Sequence, residues 1–576
     1  MAPAHPELLW SVICSGITCG LLAISIGAND VANAFSTSVG SGTLKLRGAI
    51  SIAFVFEILG ALVLGGTVTD AIRSRVLNFA AFADAPYELA LGMFSSSVGA
   101  TAWLAVSTYF GMPVSTTHSI IGALAGFGVA SGRVDSVRWL QLLYIVLSWF
   151  IVPLVAIAVS ALVYIVVQDV ILSRSYSFFF MKYFHWVLLS ISSLPLAIFI
   201  AFENPMAKFE GAYKEWFETN GSNKFACILL ILAVLVIISS IVTILITRHR
   251  LATGWSYLES SLSADPVVVC PKGVLSGRKG PKSMEINVGK GDKMEVFEIE
   301  AKRRCSKSGI DLLLKSELFH GGPESFRSEP GLSEVDVSED KMPLEQSSVS
   351  KLELSKIAKK DVECHVSEET KRSGSHKTQT VFSAMQILGA TMVVISHSAN
   401  DTANAVSPFA TVLFLYLHGV KDESLTTPWY ILLSGGCCMA LGLAVFGYKV
   451  VKTVGLNLTR VTPSRGYTID SVAGCLVLVL SHLGIPLSST HCTVSSILGV
   501  GLIEDPWNDE IGEQDGEWIG FKWFPFLRRI SVKNVNFKLY RKIFFTWIST
   551  IFFSGITTAM LFVISKFCYN IKLSRA

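Results

Sequence analysis

The amino-acid sequence predicts an all-α polytopic membrane protein with about 12 membrane segments, including re-entrant helical hairpins, in two inverted-topology repeats joined by a large polar loop. Two observations predict this class. The 576 residues are 51% hydrophobic and only 16% charged, which is too apolar for an ordinary soluble domain. Two short motifs also occur twice each, in the same order along the chain, which indicates a duplicated fold.

Apolar runs long enough to cross a membrane occur along most of the chain. A bilayer core about 30 Å thick requires roughly 20 mainly apolar residues per helical crossing, and the runs at 142–167 and 225–246 are two examples. The first run follows Pro6 and Glu7 without a basic region or a convincing cleavage site, so we expect the first helix to be retained. The 11 cysteines form no paired metal-binding pattern and are interpreted as packing residues.

Hydropathy divides the chain into three parts. Residues 1–251 form an N-terminal membrane block with the first repeat, 252–378 a polar loop, and 379–576 a C-terminal membrane block with the second repeat. The polar loop holds 41 of the chain's 92 charged residues, so it is predicted to lie in water. It has few aromatic residues and no sustained periodicity, so disorder is favoured over a small folded domain.

The charge pattern bears on partners and on orientation. The net charge of +4 is small for this length, and no basic stripe with interleaved aromatic residues is present, so a nucleic-acid partner is not expected. The basic run at 522–542, just before the last apolar segment, should be cytoplasmic by the positive-inside rule. Counting segments back from it places the polar loop in the cytoplasm and the glycosylation sequon at 220–222 outside.

The first repeated motif reads GANDVANA at 27–34 and SANDTANA at 398–405, with six of eight positions identical. An ionisable side chain in an apolar helix is costly unless it is used or paired, so Asp30 and Asp401 require an explanation. Small neighbours favour a broken helix at the end of an apolar run, where carbonyl, Asp and Asn oxygens would suit a hard cation. A sodium ion or a proton fits; the alternative is that each Asp is a helix N-cap.

The second repeated motif reads GMPVSTTH at 111–118 and GIPLSSTH at 484–491. The apolar stretches that follow, 120–130 and 494–501, are shorter than a full crossing, which predicts re-entrant hairpins. Hydroxyl groups beside free backbone N–H groups at a helix N-terminus favour binding of a tetrahedral oxyanion. Alternatively, the hydroxyls bond back to their own helix and the histidines brace it.

An enzyme is not expected, because each motif pairs Ser and His without the orienting carboxylate of a hydrolytic triad. Three further acidic residues stand in or beside apolar stretches: Glu57, Glu88 and Asp470. Their functional interpretation is cation coupling or gating, and the alternative is structural pairing with Arg or Lys. Glu88 and Asp470 each precede their hydroxyl-rich motif by one helix and are interpreted as repeat partners.

These duplicated motifs resemble those of the PiT family of inorganic phosphate transporters, over roughly 8–170 and 380–503 plus the final helix. The resemblance implies symport of inorganic phosphate with sodium, or alternatively with protons, without a bound cofactor. Paired hairpins with buried acids favour alternating access, while a facilitative anion channel stays open as another mechanism. A receptor or scaffold acting through the polar loop is a third possibility. We expect a plasma-membrane protein surrounded by lipid, and family likeness alone indicates a homodimer.

The resemblance also assigns residues. It implies that phosphate contacts amides and hydroxyls of both motif pairs: Asn29, Asn33, Ser115, Thr116, Thr117, Asn400, Asn404, Ser488, Ser489 and Thr490. It implies a sodium site formed by Asp30, Asp401, Asn29 and Asn400. Glu57, Glu88 and Asp470 match positions of functional acids, with Asp470 in place of a more usual Glu. The second copy departs from the first at Ser398, and the insertion at 504–541 has no functional account.

Overall fold

The computed structural model describes residues 3–174, 176–202, 221–255, 351–420, 426–482, 487–503, 531–532 and 534–575. The chain divides into two units, Met1–Val267 with Glu363–Ala576, and Val268–Val362. Of the second unit the described residues are 351–362, which are helical. The sequon's Asn220, most of the polar loop and most of the 504–541 insertion lie outside the described residues.

The described ranges contain helices and no strand beyond two isolated bridges. Helices of the N-terminal block are α1 Leu9–Ile26, α2 Ala32–Gly40, α3 Leu46–Val76, α4 Pro86–Tyr109, α5 Thr116–Ala130, α6 Trp139–Val167, α7 Ser177–Phe202 and α8 Gly221–Ala252. Those after the polar loop are α9 Lys351–His418, α10 Trp429–Phe446, α11 Tyr448–Asn457, α12 Pro463–His482, α13 Ser489–Gly501 and α14 Phe537–Arg575. Two π-helical turns, Gly27–Val31 and Gln168–Leu172, follow α1 and α6.

Within the described residues, nine helical stretches are long and apolar enough to cross a membrane. The two apolar runs named above lie inside α6 and α8, as predicted. A total of 12 segments is not confirmed, because α5 and α13 have only 15 and 13 residues. Part of the predicted basic run belongs to the last helix itself, since Lys538, Arg541 and Lys542 lie inside α14.

The predicted end of the polar loop at 378 falls inside a helix. α9 begins at Lys351 and continues to His418, and its span of membrane character begins at His376. Residues 351–378 are thus described as helical, and the disorder predicted for the polar loop remains a prediction. Lys and Glu, which are good helix formers, recur through 351–372.

The two short helices occupy corresponding places in the fold. α5 packs against α14, and α13 packs against α6. Both are enclosed: every residue of α13 is buried, and so are most residues of α5. Each short helix follows a longer one, α4 or α12, and begins after non-helical residues, 112–115 before α5 and the described residues 487–488 before α13; these segments are called the tips. Irregular backbone at membrane depth is tolerated where protein encloses it, so this burial is what permits the two tips.

The first repeated motif does not break its helix, so the predicted break is wrong. In the first copy the chain widens into the π-helical turn Gly27–Val31 and continues as α2, and the whole stretch Pro6–Gly40 forms one candidate span. In the second copy the motif lies within continuous α9. A π-helical turn inserts an extra residue without ending the helix, so both aspartates lie within helices rather than at their ends.

Close helix packing explains why the first copy of this motif begins with glycine and the second copy with serine. A Cβ atom added to Gly27 would stand 1.8 Å from the carbonyl oxygen of Met439 in α10, so only glycine fits there. In the second copy the glycine lies on the opposite helix, where Gly60 of α3 faces Ser398. The Ser398 hydroxyl donates a hydrogen bond to the backbone carbonyl of Glu57. Glycines of the second half contribute to the same close packing, since Gly442 of α10 lies against the carbonyl oxygen of Ile24 in α1.

Candidate substrate site between two hairpin tips

The tips that precede α5 and α13 are joined by reciprocal hydrogen bonds. Thr117 donates its hydroxyl to the carbonyl oxygen of Leu487 at 3.2 Å, and the hydroxyl of Thr490 lies 3.0 Å from the carbonyl oxygen of Val114, with its one proton shared between that carbonyl and Asp30. Thr117 and Thr490 occupy the same position of the repeated motif, and so do Val114 and Leu487. Residues 484–486, the first three of the second copy of this motif, lie outside the described residues. The two copies therefore meet by equivalent contacts.

The serines of the second motif begin the short helices. Ser115 is the N-cap of α5 and accepts a hydrogen bond from the backbone N–H of His118 at 3.1 Å. Ser488 caps α13 in the same way, accepting from the backbone N–H of His491 at 3.2 Å. Ser is a favoured N-cap because its oxygen satisfies an otherwise unpaired backbone donor. These two hydroxyl oxygens therefore fix the geometry of the tips.

The next hydroxyls along each tip reach the two aspartates. Asp30 accepts from Thr116 of the first copy at 2.8 Å and from Thr490 of the second copy at 2.7 Å. Asp401 lies 3.3 Å from the hydroxyl of Thr116 and 3.4 Å from that of Ser489. All five side chains are buried. One carboxylate from each copy therefore converges on the hydroxyls of both tips.

The two aspartate carboxylates have fewer hydrogen-bond donors around them than they can accept. Thr116 has one hydroxyl proton and stands between both aspartates, so it satisfies one of them at a time. The Oδ2 atom of Asp401 has no hydrogen-bond partner in the described part of the chain, and no ion pair there involves Asp30 or Asp401. Buried like charges without a counter-charge are strongly unfavourable. The arrangement therefore requires a cation or a bound proton.

Asn29 connects the first motif to the first tip. Its amide nitrogen donates to the hydroxyl of Thr108 at 3.0 Å and to the carbonyl of Met112 at 3.1 Å. Its amide oxygen accepts from the backbone N–H of Val114 at 2.9 Å. With both ends of the amide occupied, Asn29 holds the tip in place.

The other motif asparagines are less constrained. Asn404 donates to the hydroxyl of Thr117 at 3.0 Å, and Asn400 lies 3.4 Å from that hydroxyl. Asn33 is buried, yet neither its amide oxygen nor its amide nitrogen has a partner among the described residues. The amide oxygen of Asn404 is also without one. Buried polar groups are normally hydrogen-bonded, so these atoms are candidates for contact with a bound solute.

The motif histidines pack in an aromatic cluster between the tips. The rings of His118 and His491 lie 4.6 Å apart between centroids. Trp149 of α6 packs on His118 at 4.2 Å, and Trp547 of α14 packs on His491 at 3.9 Å. Trp547 also donates to the carbonyl of Pro113 at 3.1 Å. This packing matches the interpretation that the histidines brace the tips.

Two of the three additional acids are buried near the motif helices. Both carboxylate oxygens of Glu57 are without a partner in the described ranges, and its backbone carbonyl accepts from Ser398 in the second copy of the first motif. Asp470 accepts from Thr37 of α2 at 2.7 Å, and its other oxygen is unpartnered in those ranges. Neither acid forms an ion pair in the described structure, which leaves the coupling interpretation open for both.

Glu88 is placed differently. It lies in the first turn of α4, where its carboxylate forms an ion pair with Lys566 of α14 at 2.7 Å and a longer one with Arg133 at 3.9 Å. Arg133 also donates to Asp84 at 2.8 Å, and this bond holds the pKa of the exposed Asp84 carboxyl below its ordinary value. Asp470, by contrast, lies within α12 and well beyond its first turn. The two acids are therefore not repeat partners, and Glu88 follows the structural alternative.

Several residues that contact the site were not among the sequence predictions. Thr108, at the end of α4, binds Asn29, and Thr37, on the turn of α2 after Asn33, binds Asp470. Gln386 of α9 accepts from the hydroxyls of Ser41 and Thr43. A sequence signal exists for α2, because polar residues continue from the motif at intervals of three or four, which marks one helix face. Thr108 and Gln386 carry no such signal.

Comparison with known proteins gives a consistent result. A profile described as the phosphate transporter family matches residues 26–558. A sodium-dependent phosphate transporter of Plasmodium falciparum is 33% identical over 96% of this chain and 97% of its own length. One from Toxoplasma gondii is 27% identical, with 98% of each chain covered. A solved structure titled as the sodium-dependent phosphate transporter covers 97% of this chain with a TM-score of 0.61 and 23% identity, which supports the fold alone.

The chain is a polytopic helical membrane protein and belongs to the phosphate transporter family. This confirms the resemblance stated from the duplicated motifs. It also agrees with the expectation that the protein is not an enzyme, because the family consists of transporters.

Proposed function

We propose that this protein carries inorganic phosphate across a membrane together with sodium ions. One observation carries the proposal: hydroxyls from both hairpin tips converge on Asp30, through Thr116 at 2.8 Å and Thr490 at 2.7 Å. A single buried centre formed by both halves of a duplicated fold is the arrangement expected of a secondary transporter. Relatives named as sodium-dependent phosphate transporters support the same conclusion.

The phosphate would be held mainly by neutral donors. The amide nitrogen of Asn33 is a buried donor without a partner in the described ranges, and the hydroxyls of Thr116 and Ser489 lie in the first turns of α5 and α13. Two helix N-termini directed at one site favour an anion through their free N–H groups and dipoles. Donors of this kind bind a tetrahedral oxyanion without a fixed positive charge that would slow its release.

The sodium ions would occupy the carboxylate pair. Asp30 and Asp401, with the oxygens of Asn29 and Asn400 nearby in the motif, provide the hard oxygen ligands that such cations prefer. Without a cation these two buried carboxylates repel each other, and they would repel an incoming phosphate still more strongly. Phosphate and sodium therefore bind well only together. That mutual dependence is the electrostatic basis of coupling.

Transport by alternating access would require the tips to separate. Asp30 and Asp401 are 1% and 0% exposed, so a solute reaches them only when the enclosing contacts open. The reciprocal bonds from Thr117 and Thr490 are few and are made by side chains to backbone, so they are suited to breaking and re-forming. We place the polar loop in the cytoplasm, the protein in the plasma membrane and its copies in a homodimer, following the charge pattern and the resemblance.

The test is uptake of radiolabelled phosphate by reconstituted full-length protein under a sodium gradient, a proton gradient or neither. We expect uptake with sodium alone, and no uptake by the Asp30→Asn, Asp401→Asn double variant. Uptake driven by protons alone would replace sodium with protons in the proposal. Uptake that ignores both gradients, in wild type and variant alike, would point to a facilitative pathway. Sulfate and arsenate as competitors would measure how far the site selects phosphate.

A further inference from the structure

A continuous polar face leads away from the buried site along α2. After Asp30, the residues Asn33, Thr37 and Ser41 follow at intervals of three or four, which places them on one side of the helix. All four are at most 1% exposed. At 1.5 Å per residue the face extends for about 16 Å, roughly half the thickness of a bilayer core. Each of these buried polar side chains requires a polar partner, either from the protein or from a solute.

Other helices line this face with polar groups that are incompletely bonded. Asp470 of α12 accepts from Thr37 at 2.7 Å, and Gln386 of α9 accepts from Ser41 at 2.8 Å and from Thr43 at 2.7 Å. The second carboxylate oxygen of Asp470 and the amide nitrogen of Gln386 are buried and have no partner in the described ranges. The same holds for both amide atoms of Asn33. Unsatisfied buried groups of this kind indicate a place that a polar solute visits.

The face ends at one arginine. Arg250 stands near the end of α8, a helix whose most apolar stretch is only 6% buried in the structure. Its guanidinium donates to the Ser383 hydroxyl of α9 and, at 2.7 Å, to the carbonyl of Thr43. It stacks on Trp255 at 4.3 Å. It forms no ion pair with any described residue.

The surroundings of Arg250 favour an anion over a cation. Exposed basic residues lie close to it along the chain or next to the turn that it binds: Lys45, Arg47 and Arg248. A guanidinium offers paired donors that match phosphate geometry, whereas it repels sodium. Asp470, midway along the face, opposes a lone anion, so a phosphate passing it needs an accompanying cation. A face with an acid in the middle and arginine at its end suits the two solutes moving together.

We propose that this polar face is the route by which phosphate passes between the buried site and the membrane surface, and that Arg250 closes it. In the closed state Arg250 joins the turn after α2 to α9 by its two hydrogen bonds. In the open state the same donors receive the phosphate. The inference rests on the proposed transport function and adds the route and the closing residue to it.

The first experiment measures access to the face directly. Ser41→Cys is compared with Ser15→Cys, at a buried serine of α1 that does not belong to this face. Each full-length variant is reconstituted and treated with a membrane-impermeant thiol reagent from either side, with wild type as the control for native cysteines. We expect Ser41→Cys to react from one side only, faster during turnover and more slowly with saturating phosphate and sodium. Equal reactivity of the two variants would overturn the route.

The second experiment concerns the closing residue. We expect Arg250→Gln to reduce the maximal uptake rate about 10- to 100-fold, as loss of charge-assisted hydrogen bonds implies. Equilibrium binding of phosphate should stay unchanged, and Arg250→Lys should recover part of the rate. If Arg250→Gln loses phosphate binding as well as uptake rate, Arg250 has only a structural role and the proposal that it closes the route is overturned. If Arg250→Gln does not fold, the labelling of Ser41→Cys decides whether the polar face is the route. Absence of sodium-driven uptake by the wild-type protein would refute the proposed transport function, which is a different result.

Discussion

Thr490, in the second half of the chain, donates its hydroxyl hydrogen bond to Asp30 in the first half, at 2.7 Å. The two residues are 460 positions apart in the sequence. The same hydroxyl lies 3.0 Å from the carbonyl of Val114 in the opposite tip. One side chain therefore connects the second tip to both the first tip and the first motif helix, and its removal should affect both.

Replacing Thr490 by Val keeps the shape of the side chain and removes the hydroxyl. We expect the efficiency of phosphate uptake to fall about 10- to 100-fold, because a buried carboxylate loses a hydrogen bond. Thr493→Val is the matched control, since that buried hydroxyl one turn further along α13 has no partner among the described residues. Initial uptake rates at several phosphate concentrations make the comparison. Equal losses in both variants would contradict a specific role for Thr490.

Substitutions of the motif asparagines should affect protein stability and transport to different extents. Asn29→Ala removes two hydrogen bonds to the first tip and one to Thr108 of α4, so we expect a loss of about 1–3 kcal/mol in stability as well as a loss of uptake. Asn33→Ala removes none that the described residues make, so uptake should fall while thermal stability in detergent stays near that of wild type. Thermal unfolding measured without phosphate, beside uptake, distinguishes the two. A stable and active Asn29→Ala protein would disprove the role in holding the tip.

The acids Glu57 and Glu88 should behave differently on neutralisation. Glu57 is buried without a side-chain partner in the described ranges, and we expect Glu57→Gln to weaken the dependence of uptake on sodium. Glu88 forms a partly exposed ion pair with Lys566, which contributes at most about 1 kcal/mol. Glu88→Gln should therefore keep the sodium dependence of wild type. Uptake measured against sodium concentration for both variants tests this, and a lost dependence in Glu88→Gln would restore it as a coupling acid.

The close approach at Gly27 should tolerate no side chain. An added methyl group would overlap the backbone of Met439, and overpacking of this kind costs about 1–3 kcal/mol or more. We expect Gly27→Ala to lower the yield and thermal stability of the folded protein. Gly65→Ala is the control, since its Cβ would make only an ordinary contact of 3.5 Å with Leu432. A Gly27→Ala protein as stable as the control would show that the helices separate easily.

Local features of the structure follow from the sequence to a large extent. Hydropathy identified the long helices, such as α6 and α8, because each must present an apolar surface over its whole length. The repeated motifs identified the short helices, because Ser115 and Ser488 are followed at once by apolar stretches too short to cross a membrane. The sequence also contains the signal for the serine caps, since Ser is a common N-cap ahead of an apolar run.

Contacts between distant segments could not be predicted from the sequence in the same way. Nothing local in the sequence indicates that Thr490 reaches Asp30, or that Glu88 meets Lys566, because such pairs depend on how the helices pack. The break predicted at the first motif was wrong for a related reason. Small residues there serve a close crossing of helices, at Gly27 against Met439, and the chain remains helical. The sequence indicates where small residues occur, while the neighbouring helix determines their purpose.

Glycines from both halves of the chain make the contact between α1 and α10 a close one. Gly27 stands opposite the backbone of Met439, and a Cβ atom added to Gly442 of α10 would lie 1.9 Å from the carbonyl oxygen of Ile24. The two helices therefore meet backbone to backbone, and neither has room for a side chain at this contact while the other stays in place. A relative rotation of the two halves would have to pivot about this contact or break it.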